Sequence, residues 1–141
     1  MEFQDLLNTT HSMHRKLAMR MITDTGLTPG QPKILNYLYT HDGSSQTEIA
    51  TACYIETASL TSVLNGMEAK GLVERRRQNG NRRTYYIYLT GKGKDMCRII
   101  DNAFQEINEK LFSDIPSGDV AVFMDVFEKI YGLLAMMLRE G

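Results

Sequence analysis

A mainly α-helical chain carrying one small β-hairpin wing (class α+β) is the fold predicted by three features of the sequence. Apolar residues recur at three-and-four spacing through most of the 141 residues. Asn79-Gly80, a strong short-range hairpin signal, separates two runs of β-formers. Basic residues gather around that hairpin while the remainder of the chain is acidic.

The first helix is predicted over Glu2 to Asp24, where Phe3, Leu6, Leu7, Thr10, Met13, Leu17 and Met21 share one face, and Gly26 closes it. Thr28-Pro29 starts the second, with Thr28 as N-cap and Pro29 at the first helical position. That helix is expected to bury Ile34, Leu35, Leu38 and Tyr39 and to stop at Asp42-Gly43. Ser45 to Cys53 reads as a short third helix with Ile49 and Ala50 inward. Thr57 to Lys70 reads as a fourth, with Leu60, Val63, Leu64 and Met67 on one face and Gly71 as its stop. Leu72 to Arg76 and Thr84 to Leu89 are the hairpin strands, joined through Gln78-Asn79-Gly80-Asn81. Alternation puts Tyr86 and Tyr88 on one face of the second strand and Tyr85 and Ile87 on the other, and either set can face the core. Thr90 caps a fifth helix that runs to about Phe112 through Met96, Ile99, Ile100, Phe104, Ile107 and Leu111. A break at Asp114 to Gly118 leads to a last helix over Asp119 to Arg139.

That last helix is apolar on most sides: Val122, Phe123, Val126, Phe127, Ile130, Leu134, Met137 and Leu138 leave little of it polar. Such a helix must be covered, either by its own domain or by a second copy, and a homodimer is expected.

Composition bounds the function. Hydrophobic residues at 43% and charged residues at 23% belong to a globular chain with one proper core. No apolar run approaches the roughly 20 residues a membrane span needs, and the N-terminal stretch lacks the basic-then-apolar pattern of a signal peptide. Two cysteines make no disulfide framework, so a cytoplasmic protein is expected. The net charge of −1 speaks against nucleic acid, but its distribution speaks for it. Lys70 to Arg98 holds nine basic residues against Glu74 and Asp95, a local +7 balanced by −8 elsewhere. A solvated basic hairpin without a partner would look the same from charge alone.

The third and fourth helices, separated by a short break near Tyr54 to Glu56, have helix-turn-helix spacing. In such motifs the second helix enters the major groove. Its exposed face would offer Thr57, Ser59, Thr61, Ser62 and Asn65, with Thr47 on the helix before, and hydroxyls and amides bond both phosphates and base edges. A merely solvated polar face is the plain alternative. The hairpin favours DNA, because Arg82 and Arg83 sit at a tip too thin to serve a core, flanked by Arg75 and Arg77 and by Tyr85. An arginine on a thin turn suits a narrow minor groove.

The stretch from Gln46-Thr47-Glu48-Ile49-Ala50 to Leu89-Thr90-Gly91-Lys92-Gly93 resembles the MarR family of bacterial winged helix-turn-helix regulators. Lys70-Gly71-Leu72-Val73-Glu74-Arg75, Asn81-Arg82-Arg83 and Leu89-Thr90-x-Lys92-Gly93 carry the resemblance, and the flanking helices match in number and length. It implies a single domain over 1–141, with a winged lobe at 28–92 and dimerisation helices at 1–25 and 93–141. It also implies a homodimer on a palindromic operator in double-stranded DNA, most often a ligand-responsive repressor. Carried over, Arg83 matches the arginine that enters the minor groove, and Arg75 the strand arginine that pairs with a wing aspartate. Asn81 stands where that aspartate is usual, so the brace should be weaker. Tyr54 occupies a turn position where small residues are common. The family's effector pocket would fall near His11, Met13, His14, Leu17, Tyr37 and Ile100.

Other chemistry finds little support. His11 and His14 lie three apart on one helix without clear further ligands, so neither a metal nor a cofactor is expected. Cys53 reads as a core residue, Cys97 as partly exposed, and the first helix has no cysteine of the kind redox-sensing members of the family use. With no nucleophile–base pair and no glycine-rich phosphate loop, an enzyme is not expected. A winged-helix module that binds only protein is the competing reading, and salt-dependent binding to DNA separates the two.

Overall fold

In a computed structural model, residues 1–78 and 80–140 are described, with the backbone alone at 81 and 82. The chain divides into two compact units, residues 1–104 and 105–141. The order is α1 (Phe3–Met21), a 3-10 turn (Thr23–Thr25), α2 (Gln31–Thr40), β1 (Ser44–Ser45), α3 (Gln46–Cys53), α4 (Thr57–Ala69), β2 (Val73–Gln78), β3 (Asn81–Leu89), α5 (Gly91–Phe112) and α6 (Ser117–Glu140). The mainly helical class with a hairpin is as the sequence predicts.

The core of the first unit is built from the expected faces. Ile34, Leu35 and Leu38 of α2, Ile49 of α3, and Leu60, Leu64 and Met67 of α4 are wholly buried, with Leu72 and Ile87 from the hairpin. Burying each such side chain contributes roughly 1.5–3 kcal/mol before the entropy of ordering it. From α5, Cys97, Ile100 and Ala103 complete the cluster.

Several expectations need correction. The second helix starts at Gln31, with Gly30 at the N-cap and Pro32 in the first turn, not at Thr28-Pro29. Residues 28–30 form a turn closed by Gln31 N–H donating to the Thr28 carbonyl, while Gln31 Oε1 accepts from Thr28 N–H. Tyr39 is exposed, because the α2 stripe that meets the core passes through Ile34, Leu35 and Leu38. Cys97 is 5% exposed, its thiol 3.4 Å from the Leu35 carbonyl, not partly exposed as its neighbour Arg98 suggests. Ile99 and Leu111 of α5 are exposed, as are Phe3, Leu6, Met13, Leu17 and Met21 along α1. Of α1, only Ala18 is buried.

The sheet has a third strand that periodicity could not show. It is antiparallel in the order β1-β3-β2, with Ser44 opposite Ile87 and Ser45 opposite Tyr86. Ser45 serves twice, since its hydroxyl also accepts from Glu48 N–H and caps α3. Gly43 makes the approach possible: it sits at φ +80, and a Cβ there would lie 2.8 Å from the Tyr88 ring. Beside it Asp42 Oδ1 accepts the Leu89 N–H at 2.8 Å. These contacts tie the end of α2 to the base of the hairpin.

In the second unit, α6 has no buried residue. Val122, Phe123, Met124, Val126, Phe127, Tyr131, Leu133, Leu134, Met136, Met137 and Leu138 are all exposed.

Candidate nucleic-acid interface

The α3–α4 connection is tight. Tyr54 takes a left-handed conformation (φ 53) and closes α3 by donating its N–H to the Ala50 and Thr51 carbonyls. Ile55 N–H also reaches the Ala50 carbonyl at 2.9 Å. A tyrosine here is unusual, since a bulky residue at positive φ is strained, and its ring is exposed. Past this turn α4 presses Leu60, Leu64 and Met67 into the core, which turns Thr57, Ser59, Thr61, Ser62 and Asn65 outward. Thr47, on α3, is exposed too.

The hairpin grades from core to charge. Val73 pairs with Leu89, Arg75 with Ile87 and Arg77 with Tyr85, so one face runs from two buried residues to an exposed arginine and tyrosine. This decides the open question of the aromatic ladder: the Tyr85–Ile87 face is the core face at Ile87, and Tyr85 has emerged at its end. On the other face Arg76 lies over the Tyr88 ring at 4.4 Å and pairs with Glu74. Arg77 donates to the Tyr85 hydroxyl at 2.7 Å and covers its ring at 4.7 Å. A register irregularity between Arg77 and Gln78 precedes the tip. Asn79 lies outside the described residues, as do the side chains of Asn81 and Arg82. Arg83 is exposed.

Arg75 behaves differently from its neighbours. Its side chain is only 17% exposed. Nη2 donates to Asn65 Oδ1 at 2.9 Å, Nη1 lies 3.4 Å from Glu68 Oε1, and Nε is buried with no partner among the described residues. The guanidinium is thus committed to α4 and is not held out towards solvent. The brace expected with Asn81 falls on a side chain outside the described set. Arg75 stands on the wall of an open cleft of about 430 Å³ lined also by Gln46, Thr61, Asn65, Glu68 and Tyr85. Gln46 and Glu68 were not singled out from the sequence. Gln46 reaches Thr61 across fifteen residues, with Nε2 3.4 Å from Oγ1, and Thr61 in turn bonds back to the Thr57 carbonyl.

A sequence profile described as MarR family matches residues 25–84, the segment holding α2, the helix-turn-helix and most of the hairpin. Over that segment, under half of its length, the chain is similar to the MarR family. The solved structure titled as that of MarR superposes with a TM-score of 0.90 at 23% identity, covering 100% of this chain and 96% of that one. The Staphylococcus aureus protein MepR, in a structure titled as its complex with DNA, superposes with a TM-score of 0.85 at 24% identity, covering 95% and 98%. In sequence the chain is 23% identical over 125 residues to a Pseudomonas putida protein named as the transcriptional repressor NicR, covering 89% of this chain and 79% of that one.

The residues expected near a MarR-family effector pocket are scattered in character. His11, Met13 and Leu17 are exposed on α1, and His14 stacks on Phe104 at 5.4 Å. Tyr37 stacks on His41 at 4.4 Å against the core, and Ile100 is 2% exposed within it. The last two are spent on packing because α2 and the first half of α5 are core elements. Burial pushes the Cys97 thiol up to about 11 and also raises that of Cys53, so neither is a reactive thiolate. Among the described residues no helix is long and apolar enough to cross a membrane.

Proposed function

We propose that this chain is a cytoplasmic, homodimeric repressor of transcription that binds a palindromic site in double-stranded DNA. The observation that carries the reading is the joint exposure of the α4 polar face and the wing arginines on one braced lobe. Thr57, Ser59, Thr61, Ser62 and Asn65 stand outward on a helix whose other side is wholly buried. Arg77, Arg83 and Tyr85 stand exposed on the hairpin that Arg75 ties to that helix. In this reading α4 enters the major groove and the hairpin, with Arg82 and Arg83 at its tip, follows the backbone into the adjacent minor groove. Thr47 takes a phosphate, and Arg75 acts by holding the lobe.

Dimerisation is supported by the exposed apolar residues of α6 and by the exposed apolar line of α1. Two lobes related by a two-fold axis would meet a site of matching symmetry. The repressor sense rests on the relative named as one. Control by a small-molecule effector fits the mixed face of His11, Met13, His14 and Leu17, and not Tyr37 or Ile100, which the core already occupies. The test is a mobility shift with the duplex upstream of the chain's own gene. A retarded band competed by that duplex and not by random DNA is expected. Retention of neither, at low salt, would refute it.

A further inference from the structure

The carboxamide of Asn65 is a reading head with two different ends. Its oxygen accepts and its nitrogen donates two protons. To pair with adenine it must offer both, accepting from N6 and donating to N7. In this structure the oxygen faces the lobe, where Arg75 Nη2 donates to it at 2.9 Å. The guanidinium cannot turn aside, because Glu68 Oε1 holds Nη1 from the next turn of α4 and the side chain is 17% exposed. Flipping the carboxamide would set its NH2 against the Arg75 N–H donors, exchanging a charge-assisted bond for a clash of donors. The bond turns the oxygen towards the lobe and its NH2 outward, with one oxygen lone pair still open.

We propose that Arg75 is a positioning residue for base readout: by holding Asn65 Oδ1 towards the lobe it turns the NH2 outward, so the base favoured at that point is the one whose edge offers two acceptors, guanine ahead of adenine. Guanine offers O6 and N7 side by side on its major-groove edge, and adenine sets a donor there. The inference rests on the DNA-binding reading above and sharpens what α4 recognises. Arg75 itself touches no base.

The experiment is enrichment of duplexes from a random pool by the full-length protein, for wild type, Asn65→Ala, Asn65→Asp and Arg75→Met, with thermal melts in parallel. Asn65→Ala marks the position, since preference should flatten at one base of each half-site by about tenfold, the size of one base contact. Wild type should select guanine there. Arg75→Met keeps the stem but frees the carboxamide, and preference should move towards adenine. Asn65→Asp keeps the bond to Arg75 and presents an acceptor, which should favour cytosine. The proposal fails if wild type selects adenine at the marked position, if Asn65→Ala changes no preference, or if folded Arg75→Met selects as wild type does. Should Arg75→Met not fold, the wild-type choice between guanine and adenine still decides. If wild type enriches no duplex at all, the DNA-binding reading falls first, a result distinct from binding with the wrong base.

Discussion

Gly93→Ala should destabilise this protein, although alanine is the better helix former. Gly93 is buried in the first turn of α5, and a Cβ there would run into the Leu72 carbonyl oxygen, with Leu72 C at 3.1 Å and Leu89 Cδ2 at 3.2 Å. That carbonyl cannot retreat easily, for it accepts from Thr90 N–H at 3.1 Å while Leu72 N–H is bonded to the Met67 carbonyl. Relief requires α5 to lift, which strains Gly93 N–H to Thr90 Oγ1 (3.0 Å) and Thr90 Oγ1 to the Gly71 carbonyl (2.6 Å). Forcing a methyl into a packed site costs about 1–3 kcal/mol, and weakening an N-cap about 1 kcal/mol. Helix propensity returns up to about 1 kcal/mol. The net is a loss of about 1–3 kcal/mol, or roughly 3–10 °C in melting temperature for a chain of this size. Circular-dichroism melts at matched protomer concentration measure it, with Gly91→Ala as control, since nothing lies within 4 Å of a Cβ there. A Gly93→Ala protein as stable as wild type, or more so, would refute the reasoning.

Three further outcomes are expected. Phe127→Glu combined with Leu134→Glu, both on the exposed apolar surface of α6, should halve the mass seen in sedimentation equilibrium, and an unchanged mass would contradict a dimer held there. Burial pushes the Cys97 thiol up to about 11 in the folded protein, above the ordinary 9.0 of a free thiol, so ionisation favours the unfolded chain. Its contribution to stability is complete below pH 9 and is lost as pH rises towards 11, and in Cys97→Ala urea titrations this part of the pH dependence should vanish. Tyr54→Gly should be at least as stable as wild type and Tyr54→Val less stable by about 1 kcal/mol, because only glycine takes positive φ without strain. Equal melts for the two variants would remove the strain argument.

The helices and the hairpin were legible in the sequence because each has a local signal: apolar spacing in α2 and α4, Asn79-Gly80 between β-formers, Thr90 ahead of α5. The signals that misled were also local. Thr28-Pro29 has the chemistry of a helix start, yet Pro32 four residues from Thr28 can occupy a first turn equally well, and the structure uses that one. Ser44-Ser45 is too short for any periodicity, and only pairing with Ile87 and Tyr86 makes it a strand. The exposed α4 residues followed from the buried stripe opposite them. The link from Arg75 to Asn65 and Glu68 could not be read, since it joins a strand to a helix through tertiary packing, and family resemblance pointed Arg75 to the wing instead. Gln46 and Glu68 escaped notice for the same reason.

The most direct measurement is a salt titration of DNA binding by fluorescence anisotropy, using a labelled duplex enriched from the random pool, for wild type, Arg77→Ala and Arg83→Ala. Each phosphate neutralised releases a counterion, so log affinity falls linearly with log salt. A dimer loses two cations per substitution, and the slope should shrink by up to about two for each variant, with weaker binding at every salt concentration. Affinity and slope unchanged in both variants would contradict the claim that the wing meets DNA.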